Sequence, residues 1–140
     1  MAKTLLYRLF GAGKIPDQTL ALIEPEGVLL QDEGIRGSVT YLNFRSPTRY
    51  SSWRRQWYTA SIVMTKTRLR AFRFSTSIID VSFSDERFRQ MQFSSENAGT
   101  TLLVAFDASL FQSDWSGMLE YRFQSEKMTE LLAMLQKAGC

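Results

Sequence analysis

Residues 53–74 read Trp53-Arg-Arg-Gln-Trp57-Tyr-Thr-Ala-Ser-Ile-Val-Met-Thr65-Lys-Thr-Arg68-Leu-Arg-Ala-Phe-Arg-Phe74. Tyr58, Ala60, Ile62 and Met64 take every second position, with Trp57, Thr59, Ser61 and Val63 between them. A period of two in a run rich in β-branched and aromatic side chains specifies a β-strand. Lys66-Thr67 interrupts the run, and Arg68 to Phe74 resumes it with Leu69 and Ala71 on one face and Arg68 and Arg70 on the other. Two such runs across two polar residues form an antiparallel pair.

The same rhythm extends in both directions. Toward the N-terminus, Leu20–Ile23 and Val28–Leu30 are short apolar runs around the turn signal Glu24-Pro-Glu-Gly27, and Gly34–Phe44 is strand-prone. Ser46-Pro47 ends that strand, because proline cannot donate to a central ladder, so residues 45–52 read as a loop. Toward the C-terminus, Ile79, Val81 and Phe83 share a face, Met91 and Phe93 mark a short strand, and Asn97-Ala-Gly99 turns the chain into Thr101–Phe106. Ser113–Gly117 is another turn, after which Leu119, Tyr121 and Phe123 alternate with Glu120, Arg122 and Gln124. About seven strands at this spacing describe an antiparallel sandwich or barrel.

The last element changes period. Met128, Leu131, Leu132 and Leu135 fall at helical spacing, Ser125 is positioned as an N-cap, and Gly139 follows the end. The expected fold is therefore mainly β with a C-terminal α element: a β body over 20–124 closed by a helix over 126–137, its stripe lying on Leu102, Val104, Leu119 and Tyr121. Lys3–Phe10 is expected to form a helical turn or two within an N-terminal segment, 1–13, ended by Gly11-Ala-Gly13. With no linker, repeat or low-complexity stretch, residues 1–140 read as a single domain.

Charge is distributed unevenly. Residues 34–79 hold nine of the 17 Lys and Arg residues and no acid, which leaves eight bases against all 14 acids elsewhere. Such asymmetry points to an anionic partner or an acidic protein surface. Aromatic residues are interleaved with the bases, and Arg45, Arg49, Trp53, Arg54 and Arg55 are the candidate binding residues, with Lys66 in a turn of its own. Arginine suits the role because its planar fork donates two parallel hydrogen bonds to an oxyanion. Adjacent strand residues face opposite ways, so only one of Arg54 and Arg55 can serve a given site. The blander reading makes these arginines a solvated strand face; Trp53, Trp57 and Tyr58 read either as an exposed insertion or stacking surface or, in their commoner role in a β protein, as core or edge packing.

Catalytic chemistry is not expected. Histidine is absent and the single cysteine is Cys140, which removes Ser-His and Cys-His pairs, disulfides within the chain and thiolate metal sites. Asp80, Asp85, Glu86 and Asp107 match no calcium-loop spacing, and Gly11-Ala-Gly-Lys14 lacks the spacing of a phosphate loop. The sequence thus implies no enzyme, cofactor or metal. The apolar run at Met1–Phe10 is broken by Arg8, short of an export signal, and the expected location is cytoplasmic, with a membrane-peripheral placement as the alternative.

Two short motifs carry a family resemblance. Ser61-Ile-Val-Met-Thr-Lys-Thr-Arg-Leu-Arg-Ala-Phe72 with Ile78-Ile-Asp-Val81 resembles the strand–turn–strand of bacterial pleckstrin-homology-like and GRAM-type domains. Trp53-Arg-Arg-Gln-Trp57-Tyr58 is similar to the basic, aromatic start of the second strand in eukaryotic members. The resemblance spans about residues 20–137. It implies two orthogonal antiparallel sheets with one corner plugged by the C-terminal helix. The tryptophan usual in that helix in eukaryotic members is missing from 126–137. Function follows as an expectation: a non-catalytic module that binds a protein partner or itself. The alternative is peripheral binding to anionic lipid, or another phosphate-bearing ligand, through the basic 45–55 loop. Single-stranded nucleic acid ranks below both, since the net charge is only +3.

Overall fold

Tyr58, Ala60, Ile62 and Met64, the alternating set that defined the central strand, all enter one buried apolar cluster. In the computed structural model, which describes residues 27–74 and 76–138, that strand is β2 (Arg49–Thr65). It lies between β1 (Val28–Ser46) and β3 (Arg68–Arg73), and the chain continues through β4 (Thr76–Ser82), β5 (Gln92–Glu96), β6 (Thr101–Asp107) and β7 (Ser116–Gln124). Among the described residues the seven strands form one antiparallel sheet in the order β4-β3-β2-β1-β7-β6-β5, with β4 and β5 at its two ends. Two α-helices, α1 (Glu86–Arg89) and α2 (Met128–Ala138), and a 3-10 turn at Ala108–Leu110 complete the described chain. The helical segment expected within 1–13 and the strand expected at Leu20–Ile23 lie outside the described residues.

β1 corrects the sequence reading. Val28–Leu30 and Gly34–Phe44 are one strand of 19 residues, because Gly34, at φ 73°, absorbs a register shift between Glu33 and Ile35 without ending the ladder. The loop read at 45–52 is also a correction. Ser46 pairs with Arg49 and Arg45 with Tyr50, so only Pro47 and Thr48 make the turn. Proline does end the strand here, but its fixed φ also suits a tight turn, so no loop is needed.

A second irregularity sits between β1 and β7. Asn43 has φ 48°, and the β1–β7 register shifts between Leu42 and Arg45. Gly117 fits against it, at φ 97°, with its missing Cβ only 2.4 Å from the Asn43 carbonyl oxygen. Any side chain there would collide with backbone.

The helix over 126–137 is present as α2, with Met128, Leu131 and Leu135 buried, but Leu132 is only half-buried. The helix lies on β5 and β6, and so on the side of Leu102 and Val104. Leu119 and Tyr121, expected beneath it, instead line a separate cleft. Ser125 begins the helix as expected: its hydroxyl accepts from the Lys127 N–H at 3.0 Å and donates to buried Asp32 at 2.6 Å. Lys127 Nζ adds a bond to the Gln31 carbonyl at 2.6 Å, so the helix start is tied to β1. The polar stretch after β4 holds α1, capped by Asp85, which the apolar pattern gave no reason to expect in four residues.

The inner face carries most of the core, including Ile35, Val39, Ile62, Leu69, Leu102, Val104, Leu119 and Phe123. A cavity of about 330 Å³ opens between Ile78 and Ile79 of β4 and Phe106, Phe111, Trp115 and Tyr121 from the β6–β7 region. The sheet therefore curls over its inner face until β4 looks across at β6 and β7, without closing.

Candidate functional site

Strand alternation sorts the basic segment into faces. Tyr58 and its companions point inward, so counting back by twos from Trp57 places Trp57, Arg55 and Trp53 outward. Trp53 and Trp57 are 59% and 57% exposed, whereas Tyr58 is 6% exposed. The core reading therefore holds for Tyr58 and is overturned for both tryptophans. The sheet's inner face is already filled by apolar side chains, and period two leaves the indoles on the other side.

The outward residues form a ladder. The Arg55 guanidinium lies 5.4 Å from the Trp53 ring centre and 5.9 Å from that of Trp57, and Arg36 lies 5.9 Å from Trp57 on its other side. A cation near an aromatic ring is drawn to the ring's negative face, and each exposed contact contributes about 0.5–1 kcal/mol. Toward the Pro47–Thr48 turn, Arg45 stacks at 5.1 Å on Tyr50, which is 58% exposed, and Arg49 is exposed at the tip. The Thr40 hydroxyl fixes the ladder from β1. It accepts from Arg55 Nε at 2.8 Å and from Arg122 Nη1 at 3.2 Å, and Thr40 itself is buried beneath them.

Arg122 marks the ladder's acidic border. It donates to Glu96 at 2.7 Å and lies 3.1 Å from Glu120. The Arg122 hydrogen bond holds the Glu96 carboxyl below its usual range, and Glu96 in turn raises Arg122.

Of the sequence candidates, Trp53 and Arg55 share the ladder, and Arg45 and Arg49 occupy the same hairpin's tip. Arg54 sits opposite Tyr41 on the inner side, half-buried, and does not join them. Lys66 is at the far end of β2, where its N–H bonds the Gly27 carbonyl, so its turn and the hairpin tip do not converge. Arg36 and Thr40 were not among the candidates, and Trp57 was weighed only as an exposed stacking residue against core packing. Their signal was the alternation itself: with Tyr58 inside, Trp57 and Arg55 must be outside, and only the pairing of β1 with β2 brings Arg36 and Thr40 beside them.

Apart from Lys66, the nine bases thus fall into two groups. At the β3–β4 end Arg68 and Arg70 both reach Asp80, at 2.8 and 3.6 Å. Arg73 bonds Gln56 and stacks on Tyr58. Among the described residues, Arg36, Arg45, Arg49, Arg54 and Arg55 form no salt bridge, and all five lie on the β1–β2 hairpin. Three of the four acids considered for a metal are engaged locally: Asp80 with those two arginines, Asp85 with Arg87 and the α1 N-terminus, and Asp107 with the Ser109 N–H and hydroxyl.

The cleft below β4 is apolar over most of its lining, with Asp80, already paired, at the rim. Burial raises the Tyr121 phenol well above its usual range, as it does that of Tyr58. Neither tyrosine is poised as a proton carrier near neutrality. No family model matches the sequence, and a search of curated proteins finds no match.

Proposed function

We propose that the protein is a non-catalytic interaction module on a pleckstrin-homology-like body, with the outer face of the β1–β2 hairpin as its partner surface and an acidic protein surface as its partner. Support for the body comes from the meander order, in which β1 is shared between β2 and β7, and from the C-terminal helix over β5 and β6. One observation carries the function: Arg55, which forms no salt bridge among the described residues, lies against two exposed indoles and is held there by a buried hydroxyl. Trp, Tyr and Arg are the residues that dominate binding energy at protein interfaces, and holding them in place beforehand lowers the ordering cost of association.

A second reading is favoured by the hairpin tip. Tyr50 and Trp53 are exposed beside Arg45 and Arg49, a combination that also suits the boundary of an anionic bilayer.

Titration of the protein with fluorescein-labelled poly-glutamate, in parallel with phosphatidylserine vesicles, tests both. The peptide is expected to bind with an affinity that falls steeply with salt. Replacing Arg45, Arg49 and Arg55 by Ser should abolish binding and leave the circular dichroism spectrum unchanged. Arg55 is chosen over Arg54 because only Arg55 faces the ladder. Binding to vesicles without binding to the peptide would transfer the function to lipid. Undiminished peptide binding by the triple variant would refute the site.

A further inference from the structure

We infer that the partner surface is met by a second copy of this chain, in a symmetric dimer whose two-fold axis runs parallel to the strands between β1 and β7. This inference rests on the reading above and names the partner.

The outer face is split by charge. Strand pairing lays its residues out in rows. Asp107, Met118, Leu42 and Trp53 form one row across β6, β7, β1 and β2; Ala105, Glu120, Thr40 and Arg55 form the next; Leu103, Arg122, Ser38 and Trp57 form the third. Arg36 and Arg55 with the two indoles hold the β1–β2 side. Asp107 and Glu120 on β6 and β7, with Glu96 beyond them on β5, give the other side a net negative charge, with Arg122 of β7 paired to Glu96 and Glu120 among them. Between them lie Met118, which is exposed, and Leu42, half-exposed; Leu103, half-exposed, extends the apolar surface on β6.

A face of this kind is its own complement. Rotation about an axis between β1 and β7 reverses each row against itself. Leu42 then meets Met118 of the second copy, and Trp57 meets Leu103. Arg55 comes beside Glu120 one strand over, and Trp53 covers the Asp107 end. Each contact occurs twice, as an isologous interface requires. Because the sheet curls over its inner face, the outer contact runs along β2, β1, β7 and β6 as a strip.

The experiment is light scattering on the full chain across concentration and salt, with a charge exchange. Wild type is expected to be a dimer at low salt that dissociates as salt rises. Arg55→Glu and Glu120→Arg should each weaken self-association by about tenfold or more, the scale on which like-charge contacts oppose binding. An equimolar mixture of the two should recover a dimer, since the mixed species holds one native and one reversed pair, both of opposite charge. In case either variant folds poorly, Met118→Cys in a Cys140→Ser background offers a second readout. A short bismaleimide should link it between copies, while Lys66→Cys at the far end stays unlinked.

A wild type that is monomeric at every concentration overturns the dimer. If that monomer still binds poly-glutamate through Arg55, the partner-surface reading stands alone; if it does not, both fall. A dimer that survives both reversals and leaves Met118→Cys unlinked uses another face, and the inference fails.

Discussion

Replacing Trp57 by Thr separates a surface ladder from a core most sharply. Threonine keeps the β-branched strand preference, so what is lost is the ring. In the structure that ring is 57% exposed and touches two guanidinium groups, of Arg36 and Arg55, each 5.9 Å from its centre. Two exposed cation–π contacts at about 0.5–1 kcal/mol each set the expected loss at about 1–2 kcal/mol. A buried tryptophan cut back to a small side chain would cost about 3–5 kcal/mol. The next residue supplies the contrast, because Tyr58 is 6% exposed, and Tyr58→Ala should cost about 3–5 kcal/mol. Urea unfolding followed by far-ultraviolet circular dichroism at high dilution measures both, independently of the tryptophan signal and of self-association. A loss above about 3 kcal/mol for Trp57→Thr, or equal losses for the two variants, would refute the placement of the indoles outside.

Three further outcomes are expected. Leu131→Ala should destabilise by about 2–5 kcal/mol in the same assay, and Leu132→Ala by no more than about half of that, because only Leu131 is fully buried. Tyr58→Phe should be neutral or stabilising by up to about 2 kcal/mol, since the phenol is buried with no hydrogen-bond partner among the described residues, and a clear loss would reveal one. Burial raises the Tyr58 and Tyr121 phenols in the folded protein above their ordinary value of 10.0. The folded state therefore keeps protons that the unfolded state releases, so this stability is intact below pH of about 10 and is lost as pH rises beyond it. In a tyrosinate absorbance titration those two groups should ionise together with unfolding, not before it.

The strands were legible wherever a hydrophobic period ran without interruption. Tyr58 to Met64 and the return at Leu69 and Ala71 are where alternation placed them, and the α2 stripe appeared from its spacing with one residue, Leu132, turned partly outward. What misled was local chemistry that has two uses. Gly34 and Ser46-Pro47 read as breaks, yet one is a bulge within β1 and the other a two-residue turn; only the pairing partner decides between these. The site was half legible. Arg45, Arg49, Trp53 and Arg55 were singled out by charge and aromatic interleaving. Arg36 is 19 residues before Arg55 and Thr40 is 15 before it, so their place beside the ladder depends on strand register, which no local pattern specifies. The exposure of the indoles ran against the usual habit of tryptophan in β proteins, and a surface that breaks that habit is where a binding role is expected.

The sharing of β1 also bears on how the chain reaches its native state. Arg49 closes onto Ser46 almost as soon as it is made, so β1 and β2 can zip from a two-residue turn, with β3 and β4 added in sequence. The other edge of β1 must wait far longer, because Gly37 pairs with Phe123 and Arg45 with Ser116. Through most of synthesis, then, that stretch presents unpaired N–H and C=O groups beside an apolar face, the condition under which strands find the wrong neighbour. Closing so long a loop is slow, and β7 is the step that ends the exposure. Conditions that delay it, such as release of a chain truncated before Ser116, should send the protein toward aggregates instead of a smaller folded sheet.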